Sequence, residues 1–363
     1  MGTNCEIINI FMYDSGARLN GEQLKGLLKN QEEFSKYEYV HPSPEEIAIF
    51  SVPSIFNLHD IYYGTGSDQL KFKVQVAIYD TGVFSIRFRY QFNGEISFLQ
   101  KITFDNGIKE FLNNAVAKER SKIEKALSKI AKIYASEQSE AYRFYFINAD
   151  RRKLSSKDIK LIAGLLIDEQ NSDVISDQYV GEVTKRNIVY NDDDIMYVGW
   201  ESAVMVDPTS AYEQELIITE IANAQLLEMR IYDASMTKII SAAEKTIPET
   251  LAIWKRGNLK KLNVQLGSFY GKTLDMLNIV NDTIVGFGEW YLSRLYGLYD
   301  EVFKLSYWRA SLESKLEIIN NRRTFIADVL RSQWDEILEW IVILLIVIEV
   351  VIEALFLAGI KPV

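Results

Sequence analysis

The chain has 363 residues, room for two or three domains rather than one. Hydrophobic residues make up 48% and charged residues 25%, a globular balance that excludes a disordered chain, and a net charge of -10 weighs against a general nucleic-acid binder. One cysteine, Cys5, and two histidines, His41 and His59, exclude an intramolecular disulfide and a cysteine-rich zinc site, and they remove most Ser-His-Asp, Cys-His and His-metal chemistry.

The first segment, Met1 to Tyr13, has neither the basic start nor the long apolar run of a secretory signal. Glu6 stands where a myristoylation motif after Gly2 needs Ser or Thr, so that motif fails. Ile7, Ile8, Ile10 and Met12 predict a first β-strand. A hairpin follows: Phe72, Val74, Val76 and Ile78 alternate with polar neighbours, Asp80-Thr81-Gly82 turns, and Phe84, Ile86, Phe88 and Tyr90 alternate again. Ser85, Arg87 and Arg89 share the opposite face. A helix is predicted from about Asn106 to Tyr134, with Ile108, Leu112, Ala115, Glu119 and Ile123 as its buried stripe. Its basic run, Lys118, Arg120, Lys122, Lys125, Lys129 and Lys132, reads as a solvated face, with an RNA or anionic-lipid contact as the alternative. A strand over 142–147, a helix over 156–167 and strands around 187–190 and 195–206 complete an α+β region, a sheet with helices on one face.

Pro208 closes that region, and helical periodicity takes over. Helices are expected from Tyr212 to about Lys245, from Ile247 to Lys255 and from Leu274 to Val280, followed by one long helix from about Ile284. Within the last, Leu298, Val302, Leu305, Arg309, Leu312, Leu316, Ile319, Arg323, Ile326, Leu330, Gln333 and Ile337 recur at alternating spacings of four and three, a heptad seam about 60 Å long. The seam either packs on the chain's own preceding helices or self-associates. In the second case Leu305, Leu312, Leu316, Ile319 and Ile326 are the contact candidates of a homo-oligomeric, coiled-coil-like stalk.

Two motifs resemble ligand sites. Leu262 to Leu266 followed by Gly267-Ser268-Phe269-Tyr270-Gly271-Lys272-Thr273 looks like a strand entering a phosphate loop. Only three residues separate its glycines where the loop needs four, so nucleotide binding is not expected. Asn191-Asp192-Asp193-Asp194 lacks the alternating ligands and distal glutamate of a calcium loop and reads as a solvated turn. No cofactor, metal or catalytic residue is assigned.

Trp340 to Ile360 reads WIVILLIVIEVVIEALFLAGI, 21 residues with two charges. As a helix it is about 31 Å long, close to the hydrocarbon thickness of a bilayer. Its sixteen strongly apolar side chains outweigh two glutamates at about 2.5–3.5 kcal/mol each by a modest margin. A transmembrane anchor is therefore expected. Arg322, Arg323 and Arg331 on its near side against Lys361 on the far side favour a cytoplasmic body, and no upstream segment is suited to exporting it. Glu339, Glu349 and Glu353 share one face of this helix, away from the seam.

The stretch from Trp290 through Leu298-Tyr299-Asp300, then Ile318-Ile319-Asn320-Asn321-Arg322-Arg323, and above all Leu338 to Glu349, resembles the required-for-meiotic-nuclear-division (YagE-like) family. Val198-Gly199-Trp200-Glu201 and the helix Glu220 to Asp233 are similar to its upstream strand and Ala-rich helix. The resemblance implies a one-span membrane protein with a large soluble domain. It also implies that relatives are associated with mitochondrial translation and sporulation, and it carries over no catalytic residues.

The expected layout is thus α+β: a mixed sheet region over 1–207, a helical domain over 208–283, a long helix or stalk over 284–336 and an anchor over 337–360. The expected function is a non-enzymatic, C-terminally anchored, single-pass membrane protein acting as a homo-oligomeric scaffold or tether on the cytoplasmic face, in contact with membrane lipid and a protein or ribosome-associated partner, with direct nucleic-acid binding not expected. The alternative is a channel- or transporter-like oligomer with the glutamates on a hydrated path.

Overall fold

Strand β1 (Thr3–Asp14) lies in the middle of the sheet because it alternates apolar side chains toward both faces: Cys5 and Ile7 on one, Ile8, Ile10 and Met12 on the other, all buried. The structure is a computed structural model and describes residues 3–19, 35–36, 53–66, 69–249, 255–285 and 290–357. The other strands are β2 (Ser35–Lys36), β3 (Ser54–Asn57), β4 (Ile61–Tyr63), β5 (Leu70–Ile78), β6 (Val83–Gly94), β7 (Ser139–Ile147), β8 (Asn187–Ile188), β9 (Ile195–Val198) and β10 (Ser202–Val206). Among the described residues the sheet order is β2-β3-β5-β6-β1-β7-β10-β9-β8, with β4 branching from β5. The β7–β10 pair is parallel and every other pair is antiparallel, so the sheet is mixed.

The predicted β5–β6 hairpin forms as the alternation requires. Its turn closes through Tyr79 N to Val83 O at 2.9 Å, with Gly82 at φ +100°. A Cβ there would stand 2.0 Å from Ala17 O, so both the dihedral and the space demand glycine. Gly82→Ala is expected to destabilise the fold by about 2–3 kcal/mol, read as a lowered denaturation midpoint with an unchanged spectrum of the native state.

The helices are α1 (Ser97–Phe104), α2 (Asn106–Leu127), α3 (Ser156–Leu166), α4 (Asp177–Val183), α5 (Glu213–Glu249), α6 (Arg256–Val285), α7 (Trp290–Phe303) and α8 (Leu305–Leu357). Leu99 and Ile102 of α1, Ile108, Leu112, Val116 and Ile123 of α2, and Leu161, Ile162 and Leu165 of α3 share one core with Val74, Val76, Phe84, Ile86 and Phe88. The opposite face is also covered, which corrects the expectation of helices on one face only. There α5 meets Tyr79, Ser85 and Arg87, and Tyr299 and Phe303 of α7 stand edge-on to Tyr142. The polar alternation of β6 faces a helix rather than water.

Other boundaries differ for local reasons. Helix α2 stops at Leu127, not Tyr134, because the chain beyond it hydrogen-bonds to the end of β1, Tyr134 N to Ser15 O and Ser136 N to Asp14 O. The 195–206 segment is two strands folded at Gly199. The helices expected over 247–255 and 274–280 are replaced by α5 running to Glu249 and α6 starting at Arg256. Gly267 to Thr273 therefore lies inside a helix, and the phosphate-loop resemblance has no structural counterpart. The long helix expected from Ile284 is broken at Lys304, whose φ of 55° leaves the right-handed region. Asp300 then caps the new helix, accepting from Ser306 N at 2.8 Å and Ser306 Oγ at 2.6 Å.

The chain divides into two units: Met1–Ile231 with Ile279–Trp308, and Tyr232–Asn278 with Arg309–Val363. In the second unit the later part of α5, most of α6 and α8 form a helical bundle. Lys315 bonds Asp233 at 2.6 Å and Arg322 approaches Glu244 at 3.4 Å, so α8 runs parallel to α5. Arg256 stacks on Trp334 at 3.9 Å and Arg323 on Tyr270 at 5.4 Å, so it runs antiparallel to α6. Leu312, Leu316, Ile319 and Ile326 are buried there along with Met236, Ala243, Leu259, Leu262 and Leu266, and Leu305 is buried in the first unit. The heptad seam is real, and the chain's own helices occupy it. The side chains set aside for self-association are covered, and the intramolecular alternative is the one the fold adopts.

Candidate functional site

Three features go beyond a packed core: a layer of buried charge under α5, a polar groove beside it, and the far end of α8. The charged layer arises because β6 presents Ser85, Arg87 and Arg89 on one face, while α5 carries Glu213, Thr219 and Glu220 among its isoleucines and leucines. Arg87 and Glu220 are both fully buried and pair twice, Nε to Oε1 at 2.7 Å and Nη2 to Oε2 at 2.6 Å. Tyr79 donates to Glu220 Oε2 at 2.7 Å and Ser85 to Oε1 at 2.8 Å, so one carboxylate accepts four bonds. Burial opposes the charge of Arg87, and the Glu220 carboxylate more than offsets it, holding the guanidinium above its ordinary range. Arg87 Nη1 is buried without a hydrogen-bond partner.

Arg89 anchors a second cluster, with Glu6 at 2.7 Å, Glu213 at 2.8 Å and the Tyr212 hydroxyl at 2.6 Å, while Tyr212 also donates to Glu6. Burial, chiefly, pushes the Tyr212 hydroxyl well above its usual range. This cluster forms part of the wall of a groove of about 820 Å³, where Lys73 stands across the strand pair from Arg89. These donors and acceptors are bound to one another, so they fix the seat of α5 on the sheet.

The predicted site residues fall elsewhere. Glu339, Glu349 and Glu353 are exposed on α8 and are not brought together with the charged layer. Among the described residues no helix is long and apolar enough to cross a membrane. Residues 358–363 lie outside the described residues, so the far end of the expected 337–360 anchor is not placed. The basic run is a largely solvated face: Lys118 and Lys125 of α2 are exposed, as are Lys129 and Lys132 beyond its end, and Lys122 pairs with Glu119. His59 lies 3.6 Å from Glu119, and His41 lies outside the described residues. Burial raises the Cys5 thiol to about 12, which keeps it protonated and unreactive. Asp194 accepts from Tyr190 N and Asn191 N at 2.8 Å, so the Asn191 to Asp194 run is a turn that caps itself. Among the described residues no cluster of three or more His, Cys, Asp or Glu could hold a metal. Glu220 was not singled out from the sequence. Its signal was a polar alternation on β6 matched by Glu213 and Glu220, seven positions apart on α5.

The molecule is thus an α+β protein whose mixed sheet, ten strands among the described residues, carries a helix over an internal charged layer, followed by a helical bundle with a long terminal helix. Residues 4–213, more than half of the chain, match the family described as the N-terminal domain of uncharacterized protein MJ0711, and the chain belongs to that family. It is 25% identical to uncharacterized protein MJ0711 of Methanocaldococcus jannaschii over 230 residues, 63% of this chain and 70% of the relative. No solved structure matches. This corrects the required-for-meiotic-nuclear-division resemblance. The family match lies over the sheet region, where that resemblance had almost no motif, whereas its motifs lay in apolar and heptad-patterned helices whose composition many unrelated helices share.

Proposed function

We propose that the protein is a non-enzymatic membrane tether, with residues 340–360 seated in the bilayer and the chain before them on the cytoplasmic side. What carries the reading is the exposure of α8 beyond the bundle. Eleven of the twelve residues from Ile341 to Ile352 are large and apolar, and each of the eleven is 45–59% exposed. Over these three turns Glu349 is the single polar side chain, and the rest of the circumference is apolar. A partner helix would cover one stripe, whereas lipid covers the whole circumference. Arg322, Arg323 and Arg331 on the near side support the cytoplasmic orientation.

Trp334, stacked on Arg256, makes a late bundle contact, so a chain ending there keeps the bundle's described ion pairs and stacking contacts. The full-length protein is expected to stay in the membrane pellet after alkaline carbonate extraction, and the chain ending at Trp334 to be soluble and folded. Full-length protein in the carbonate supernatant would sink the anchor.

A further inference from the structure

The turn from β9 to β10, Gly199-Trp200-Glu201, holds a tryptophan at the surface of the first unit. Gly199 N donates to Ser202 O at 2.8 Å, and Ser202 Oγ donates to Leu165 O at 3.0 Å, pinning the turn to the end of α3. A Cβ at Gly199 would lie 2.8 Å from Leu166 O, so a residue without one lets the turn sit this close. Just past α3, Asp168 takes a left-handed φ of 57° and is held by Arg143 at 2.6 Å.

Between this turn and α4 lies a groove of about 530 Å³. Trp200 and Tyr179, 44% and 48% exposed, are its aromatic walls, and Leu166, Val183 and Val198 give it an apolar floor. Its charges are unbalanced: Asp168 is already paired with Arg143, Arg186 leans toward Glu301 at 3.7 Å, and Glu182 and Glu201 also line it. Among the described residues Glu182 and Glu201 make no ion pair. Trp200 also borders a second cavity, of about 460 Å³, where Arg230 stands 5.8 Å from the ring. The chain already holds one guanidinium against this tryptophan.

We propose that the groove receives the arginine or lysine side chain of an extended peptide segment from a partner protein. The floor suits the methylene stem of such a residue, the two rings attract its cation, and the free carboxylates neutralise it. A neutral side chain leaves those carboxylates unanswered, and an acidic one is repelled. An open groove rather than an enclosed cavity fits a residue carried on a chain.

The test uses the full chain in mild detergent with its tryptophan indoles labelled for NMR, the Trp200 signal being the one lost in Trp200→Phe. It is titrated with short Gly-Ser peptides differing only at a central arginine, lysine, citrulline or glutamate. The arginine and lysine peptides are expected to shift the Trp200 signal, while the citrulline and glutamate peptides leave it in place. The pair Glu182→Gln and Glu201→Gln should weaken arginine-peptide binding by about tenfold without moving the other indole signals. Equal affinity for the arginine and citrulline peptides, shifts confined to other indoles, or no shift with any peptide overturns the proposal.

Discussion

Replacing Glu220 with leucine is expected to cost the first unit about 3–5 kcal/mol, a large part of the roughly 5–15 kcal/mol that holds a domain folded. The change leaves the Arg87 guanidinium fully buried with no counter-charge, and it strips Tyr79 and Ser85 of their acceptor. The cost comes from stranding a charge, not from losing an attraction. Hence Arg87→Met combined with Glu220→Leu should recover most of the loss, because an apolar pair of similar volume needs no partner. Chemical denaturation followed by circular dichroism on the two single variants and the double variant measures this. A Glu220→Leu midpoint equal to that of the parent would mean that Arg87 finds water or another acceptor, and the buried-layer account would fail.

Stability should also fall as pH rises from about 5 to 8, because of Glu228. Burial pushes this carboxyl up to about 8, Asp14 adds to the effect, and the Thr81 hydroxyl and Arg18 only partly oppose it. Asp14 is itself raised by its own burial against the pull of the Gly16 N–H. The sign follows from the folded value lying above the unfolded one. Between the two the native state keeps a proton that the unfolded chain has released, so stability declines with pH and levels off above about 8. The difference amounts to about 3–4 kcal/mol across the interval. Glu228→Gln has no proton to lose and should gain most of that difference at pH 8 while matching the parent near pH 5. Melting midpoints of both proteins across this range decide it, because other titrating groups cancel between them. Parallel pH profiles would show that the carboxyl ionises in place at little cost.

What the sequence determined by itself is the part set by neighbours along the chain. The β5–β6 hairpin follows from a period of two around Asp80-Thr81-Gly82, and the seam on α8 follows from its four-three spacing; both depend on residues close in sequence. The exposed apolar end of α8 was legible for the same reason. The tertiary structure decided what those patterns face. The Ser85-Arg87-Arg89 stripe reads as a surface until Glu220, 133 positions from Arg87, is brought against it. The seam is equally suited to a second copy or to the chain's own helices, and only the return of α6 along α8 makes it internal. Trp200 looked like part of a strand, and the close approach of Gly199 to Leu166 turned it outward. Alternation and heptad spacing fix which side chains share a face, whereas the identity of the facing element depends on contacts between segments far apart in the chain, which no local pattern encodes.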